Sequence, residues 1–301
     1  MFEYDRDIMS LEIGNIPDQI NVSTMGCSCK LNRTFNLDNI KTSLELSHND
    51  VLTVKVSSEE FRSLVKLKVY KKKIRRGLQD GEKPNKHRDR NTKNYFYNQV
   101  TLIIKVNEDP DDPKRINVKL FKNGSIQMSG CKSIFDVNAV LSKMISRFHD
   151  DPNFYYINHV EDDKLMINNF KINMINCNYK INIHIDRNKL YNLLISKRIK
   201  TLFEPCSRAC VIVKKMVKDE NENIVKISIF IFEKGNIIIT GAKSRDQLVE
   251  SYEYINTLIN DYSDNITKIN EDVIRKIIFD TYNELIEEKK TRLSLTRGIK
   301  L

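Results

Sequence analysis

Six cysteines and five histidines carry the most reactive side chains of this 301-residue chain, and their spacing gives them little chemistry to share. Only Cys27/Cys29 and Cys206/Cys210 lie close together. Neither pair has Cys-x-x-Cys spacing, and no His pair completes a zinc ligand set. The expectation is reduced intracellular thiols with no metal and no other cofactor. His48, His87, His149, His159 and His184 share no spacing, which points to surface or packing roles. No nucleophile–base set is evident, and no glycine run opens a helix as a phosphate loop requires. Enzymatic chemistry is therefore not expected, and recognition chemistry is.

That chemistry is concentrated in a stretch that occurs twice. Phe121-Lys-Asn-Gly-Ser-Ile-Gln-Met-Ser-Gly-Cys-Lys-Ser133 returns as Phe232-Glu-Lys-Gly-Asn-Ile-Ile-Ile-Thr-Gly-Ala-Lys-Ser244. Each copy follows an alternating run, Arg115–Phe121 or Lys226–Phe232, and precedes an amphipathic one, Ser133–Phe148 or Ser244–Asp261. Gly124 and Gly235 supply the backbone freedom of a hairpin turn. Strand, turn, strand, glycine and helix in duplicate are the signature of an internal repeat. Alternation makes each hairpin two-sided: Ile227, Ile229 and Ile231 point one way, Ser228, Phe230 and Phe232 the other. In the first copy Val118 and Leu120 go inward, while Asn117, Lys119, Phe121, Gln127 and Ser129 look outward. With helices on the isoleucine side, an open face bears Phe230, Phe232, Ile238 and Thr240. Large aromatics on an open face call for a partner or a cover; the cover would be the N-terminal segment or the C-terminal helix.

The elements that position these residues follow along the chain. Residues 1–17 read as an extended or disordered lead-in, with no signal peptide. Gln19–Leu31 is a strand, Asn36 or Asp38 caps a helix to about Glu45, and Asp50–Ser57 is a second strand. Lys66–Asn94 is dense in Lys and Arg and reads as a mobile basic loop. Tyr95–Val106 is a strand, and residues 107–114 turn into the first hairpin. After an acidic connector, 150–163, the scheme restarts. Strands Lys164–Ile175 and Asn178–Ile185, helix Arg187–Ile199 and strand Cys210–Val217 lead to the second hairpin. An extra helix, about Asn270–Lys290, and a basic tail follow. The turn glycines lie 111 residues apart, but Ile20-Asn21 and Ile172-Asn173 lie 152 apart. Repeat one, 18–149, therefore carries about 41 extra residues relative to repeat two, 164–262. The basic stretch, around 58–95, is that insertion. Residues 263–301 lie beyond the repeats.

A net charge of +10 favours an anionic partner, nucleic acid before an acidic membrane surface. No apolar run reaches the length of a membrane span. The Asn-, Ile- and Lys-rich composition, without Trp, fits an AT-rich coding sequence.

The duplicated pattern Phe-x-x-Gly-x-x-x-x-Thr/Ser-Gly-Ala/Cys-Lys, with Phe203-Glu-Pro upstream of the second copy, resembles the TATA-box-binding protein family. Cys29-Lys-Leu31 and Phe170-Lys-Ile-Asn173 add to it, and the resemblance covers about residues 18–262. It is most similar to the divergent members of large DNA viruses. It implies an α+β fold: a duplicated saddle, one curved antiparallel sheet, pseudo-twofold symmetric, with helices on the convex face and DNA under the concave one. In that family the sheet sits on a widened minor groove, where A·T pairs show only acceptors, and phenylalanine wedges kink the duplex.

Residue by residue, the resemblance implies a DNA contact set. Asn21 and Asn173 match the central asparagines, and Ser129 and Thr240 the paired hydroxyls. Phe121 and Phe232 match one wedge per repeat, and Phe230 and Ile238 the apolar floor. Lys105 and Lys214 match strand arginines that reach phosphate, and Lys132 and Lys243 complete the motif. That alignment places Gln99 and Arg208 where each repeat's second wedge belongs; Phe96 or Tyr97 would replace Gln99 if the register slips. Lys119 and Gln127 stand at floor positions. A shallower bend and a larger share of affinity from backbone charge are expected.

The implied partners are double-stranded AT-rich DNA, a transcription factor IIB-like factor and the RNA polymerase machinery, with no membrane or small-molecule substrate. The implied place is intracellular, the host nucleus or a cytoplasmic viral factory. Promoter recognition that nucleates a pre-initiation complex is the first function; an interaction module that has lost specific DNA binding is the second. The basic insertion is a solvated loop, a second DNA contact or a dock for acidic partners. The C-terminal helix, with Val273, Ile277, Ile278, Tyr282 and Leu285 on one side, packs on its own saddle or fits a partner groove.

Overall fold

A computed structural model describes residues 2–14, 16–57, 60–65, 98–107, 114–158, 164–219, 222–268, 275 and 278–289. The chain forms two compact units. The first comprises Met1–Cys177 with Gly241–Asp246, the second Asn178–Thr240 with Gln247–Leu301. The basic stretch 66–94 lies outside the described residues.

In the first unit, β1 (Phe2–Tyr4) precedes β2 (Asn21–Leu31), α1 (Leu37–Ser43), β3 (Val51–Lys55), β4 (Phe61–Ser63) and β5 (Gln99–Lys105). The hairpin β6 (Arg115–Phe121) and β7 (Ser125–Cys131), then α2 (Ile134–His149), α3 (Pro152–Tyr155) and β8 (Leu165–Lys180) follow. Strand order is β4-β3-β5-β6-β7-β2-β8, with β1 parallel to the start of β8. The β3–β5, β5–β6, β6–β7 and β2–β7 ladders are antiparallel.

Parity decides what is buried. Val118, Leu120, Ile126 and Met128 lie at 0–2 % exposure, and Val137, Leu141, Met144 and Phe148 of α2 are equally enclosed. Full burial of an aliphatic side chain stabilises by roughly 2 kcal/mol, so this layer alone accounts for the helix's position. α2 begins where the sequence requires. Ser133 Oγ accepts from the Asp136 amide at 3.2 Å, and the Asp136 carboxylate accepts from the Ser133 and Lys132 amides. Asn36 likewise caps α1.

The second unit repeats the scheme. β8 leads to α4 (Arg187–Ser196), β9 (Thr201–Leu202), β10 (Cys210–Lys218), the hairpin β11 (Ile224–Phe232) and β12 (Asn236–Ala242), α5 (Arg245–Asp261) and α6 (Ser263–Ile266). The order is β8-β12-β11-β10-β9. Ile227, Ile229, Ile231, Ile237 and Ile239 are fully buried, as are Leu190 and Leu194 of α4 and Leu248 and Ile255 of α5. The isoleucine face is the core face in both units, as alternation requires. Antiparallel sheet with helices packed on one side makes the chain α+β.

Three expectations are corrected. The N-terminal residues, expected to be extended or disordered, form β1 and a 3-10 turn at Met9–Leu11. Tyr4 donates to Asn138 of α2, the Ile134 amide donates to Glu12, and Ile8 and Ile13 are buried. The strands expected at Lys164–Ile175 and Asn178–Ile185 are one 16-residue strand, β8. Asn176 and Asn178 do not break it, because Ile175, Cys177 and Tyr179 keep the buried parity through them. Residues 278–289 are helical, but Ile278, Phe279, Tyr282 and Leu285 are exposed, so this apolar side is not packed among the described residues.

Candidate nucleic-acid interface

The two hairpins share their closure. Gly124 and Gly235 have φ of 84° and 78°, and each amide bonds back to the hairpin phenylalanine carbonyl at 3.0 Å. Each glycine carbonyl then accepts, at 2.9 Å, from the chain that leaves the unit's long strand, Leu31 N–H or Ile181 N–H. A Cβ on either glycine would sit closer than 3.0 Å to two backbone carbonyl oxygens. The turns thus fix where Phe121 and Phe232 stand.

In the second unit the outward rungs can be followed across the ladder. Cys210 pairs with Phe232, Ile212 with Phe230, and Lys214 with Ser228 on β10–β11. Phe230 then pairs with Ile238, and Ser228 with Thr240, on β11–β12. Phe230, Phe232 and Ile238 are half-buried, so this apolar rung remains open to an incoming surface. Lys214 is also half-buried and its Nζ donates to Ser228 Oγ at 2.6 Å. Burial pushes its pKa below the usual lysine value, aided by Lys226 and Arg208. Its ammonium therefore lies along the sheet face between strands, not extended toward solvent.

The first unit places different chemistry on the same rungs. Gln99 pairs with Phe121, Thr101 with Lys119, and Ile103 with Asn117 on β5–β6. Lys119 pairs with Gln127 and Asn117 with Ser129 on β6–β7, and Gln127 pairs with Ser28 on β2. Ser28 Oγ donates to Asn173 Oδ1 at 3.1 Å. Asn173 therefore joins the open face of this unit beside Ser28 and Gln127. Phe121 lines a mainly apolar cleft of about 720 Å3 with Thr34, Asn98, Lys122, Gln127 and Ile157.

The other predicted site residues lie at the ends of strands or in turns. Asn21 is exposed at the start of β2, next to buried Ile20 and ahead of the residues that pair with β7. Lys105 ends the Gln99–Thr101–Ile103 parity of β5 opposite Arg115, and its carbonyl accepts from Lys143 Nζ at 3.1 Å beside a polar pocket that includes Asp50 and Arg147. Arg208 is exposed in the turn before β10, with its amide bonded to the Glu204 carbonyl at 2.8 Å and its side chain 3.7 Å from the Glu204 carboxylate. The Ser207 hydroxyl, then Arg208, hold that carboxyl below the usual range.

The ladders also revise the register. Equivalent rungs of the two units lie 111 residues apart throughout: Gln99 and Cys210 face Phe121 and Phe232, and Ile103 corresponds to Lys214. The residue across from Phe232 is thus Cys210, not Arg208, and Lys105 is not the counterpart of Lys214. A slip of two residues preserves parity, so alternation alone gave no warning of it. Sequence reasoning missed Ser28 and Thr101, which alternation and the hairpin register place on the first unit's open face.

Within the first unit, the described residues of the N-terminal segment bond to α2 through Tyr4 and Glu12 and to β8 through Asp5 and Arg6, and none of these bonds reaches Phe121. Cys27, Cys29 and Cys131 are buried on the core side, and desolvation pushes all three thiols up, Cys29 and Cys131 to about 12. Among the described residues no group of three or more His, Cys, Asp and Glu could hold a metal ion, and no helix is long and apolar enough to cross a membrane.

Comparison with known proteins adds three findings. Residues 169–262 match the family described as transcription factor TFIID, or TATA-binding protein. The chain is 30 % identical over 266 residues to a TATA-box-binding protein-like protein of Acanthamoeba polyphaga mimivirus, covering 81 % of this chain. It spans 65 % of that relative's length. A solved Methanococcus jannaschii TATA-binding protein aligns with a TM-score of 0.47 at 16 % identity, over 81 % of this chain and 99 % of that one.

Proposed function

Starting from a chain that carries a TATA-binding protein domain at residues 169–262, we propose that it is a transcription initiation factor binding AT-rich duplex DNA in the minor groove. The observation that carries this reading is the half-exposed rung Phe230–Ile238 with Phe232 beside it, backed by buried Ile212. A·T pairs present acceptors and no amino group in the minor groove, so an apolar surface meets them without stranding a donor. Phe232 and Phe121 are the wedges. Thr240, Ser129 and Asn173 offer short polar contacts, and Lys214 offers a donor on the face itself. Asn21 adds a polar group at the start of β2, Arg208 lies off these rows, and Lys105, Arg208, Lys132 and Lys243 belong to the charge that attracts phosphate.

Only one aromatic per hairpin stands at the wedge rung, since Gln99 and Cys210 are its neighbours. The bend is accordingly shallower than full family wedging gives, and phosphate contacts supply more of the affinity. Bound DNA then serves as the platform for a transcription factor IIB-like factor and RNA polymerase. The place of action is intracellular, the host nucleus or, for a viral chain, the cytoplasmic factory. The exposed Lys119, which is charged, and Gln127, which is polar, favour a second reading, a TBP-like interaction module without specific DNA binding.

Gel shift on AT-rich and GC-rich duplexes separates the two. The expected result is AT preference, lost at least tenfold in Phe121→Ala/Phe232→Ala, with affinity falling steeply as salt rises. Equal binding to both duplexes, untouched by the substitutions, would establish the interaction module instead.

A further inference from the structure

The minor-groove reading leaves the polarity of the first unit's face unexplained. In the second unit the rung is Ile212–Phe230–Ile238. A G·C pair laid on it would enclose the guanine N2 amino group against carbon, and a buried donor without an acceptor is strongly disfavoured. The corresponding rung of the first unit reads Thr101–Lys119–Gln127–Ser28, and Ser28 holds Asn173 by its carbonyl oxygen. Lys119 and Gln127 are exposed and make no hydrogen bond or ion pair among the described residues. Their groups are therefore presented to whatever lies on the face.

The chemistry of that row is ordered. Lys119 can only donate, the Gln127 amide oxygen accepts, and with its oxygen taken by Ser28 the Asn173 amide nitrogen donates. The minor-groove edge of a G·C pair runs acceptor, donor, acceptor, from guanine N3 through the N2 amino group to cytosine O2. We propose that the first unit's face reads G·C pairs in the minor groove. Gln127 Oε1 accepts from guanine N2, while Lys119 and Asn173 donate to the flanking acceptors. The target is then asymmetric, with A·T required over the second unit and G·C admitted over the first. This rests on the minor-groove reading above and extends it to specificity: the protein selects an orientation on its element by base content.

The test uses the full chain and three duplexes of equal length in fluorescence anisotropy: an uninterrupted A·T element, the element with G·C pairs in one half, and the element with G·C pairs in both. Wild type should lose less than about threefold on the one-half duplex and about tenfold or more on the both-halves duplex, the usual cost of unsuitable pairs. Lys119→Val/Gln127→Ile should hold the A·T element at least as well and lose about tenfold on the one-half duplex. Should the double variant unfold, Gln127→Val alone is expected to move the one-half result the same way by about threefold. A one-half cost that is equal in wild type and variant, with A·T preference intact, overturns the inference and leaves the function standing. Loss of any A·T preference in wild type overturns both.

Discussion

Phe230 and Ile238 face each other across one hairpin; Lys119 and Gln127 occupy the same rungs of the other. Behind them, Ile229 and Ile237 correspond to Val118 and Ile126, all four fully buried. One parity of each strand is apolar in both copies, while the other is apolar in one copy and hydrogen-bonding in the other. A strand meets two environments, and the constraints on them are separate: helix packing needs volume and apolarity on one side, whereas the other side answers only to its ligand. The hairpin therefore builds two faces of unlike chemistry on one scaffold.

That contrast can be attacked at the scaffold first, where effects should be largest and alike in both units. Gly124→Ala and Gly235→Ala each force a Cβ into backbone carbonyls at positive φ. Each should cost about 4 kcal/mol in equilibrium denaturation, combining backbone strain with overpacking. A large effect at one glycine and none at the other would break the equivalence of the two closures.

Next in size is an alkaline effect that sets the units apart. Cys27, Cys29 and Cys131 crowd the first unit's core, and burial keeps their thiols protonated when folded. Folded pKa values above the unfolded 9.0 mean the folded state holds more protons as pH rises from 9 toward 12. Stability should fall across that window, by up to about 1.4 kcal/mol per pH unit for each thiol. Urea midpoints at pH 8 and pH 10 would show it, and Cys29→Ala/Cys131→Ala should flatten the slope.

The smallest effect belongs to the faces. On an uninterrupted A·T duplex, Phe230→Ala should weaken binding about tenfold through lost apolar contact. Lys119→Ala should change it about twofold and lower the salt slope by about one. Equal losses from the two would mean that the faces are functionally the same despite their residues.

Much of this was legible in the sequence because repeats and alternation are local signals. The hairpins, the capped starts of α1 and α2, the inward isoleucines and the outward phenylalanines all follow from neighbours within a few residues. Three features were not local. The pairing of Phe2–Tyr4 with Leu165–Ile167 joins residues more than 160 apart, with no turn between them to announce it. The register of β5 and β10 depends on their pairing with β6 and β11 across connections of equal length in the two repeats, and matching lysine to lysine moved it by one rung. The place of Asn173 depends on its bond to Ser28 and on a change of parity after Ile172, which the continuous run of polar and apolar residues conceals.

The short N-terminal strand has a practical side. Paired with Leu165–Ile167, β1 occupies a sheet edge that would otherwise present open amides and carbonyls beside apolar side chains. Such an edge invites pairing with another molecule. Trimming the first few residues for crystallisation or tagging would therefore show itself in light scattering before it shows in any binding curve: the protein would be intact, and increasingly insoluble.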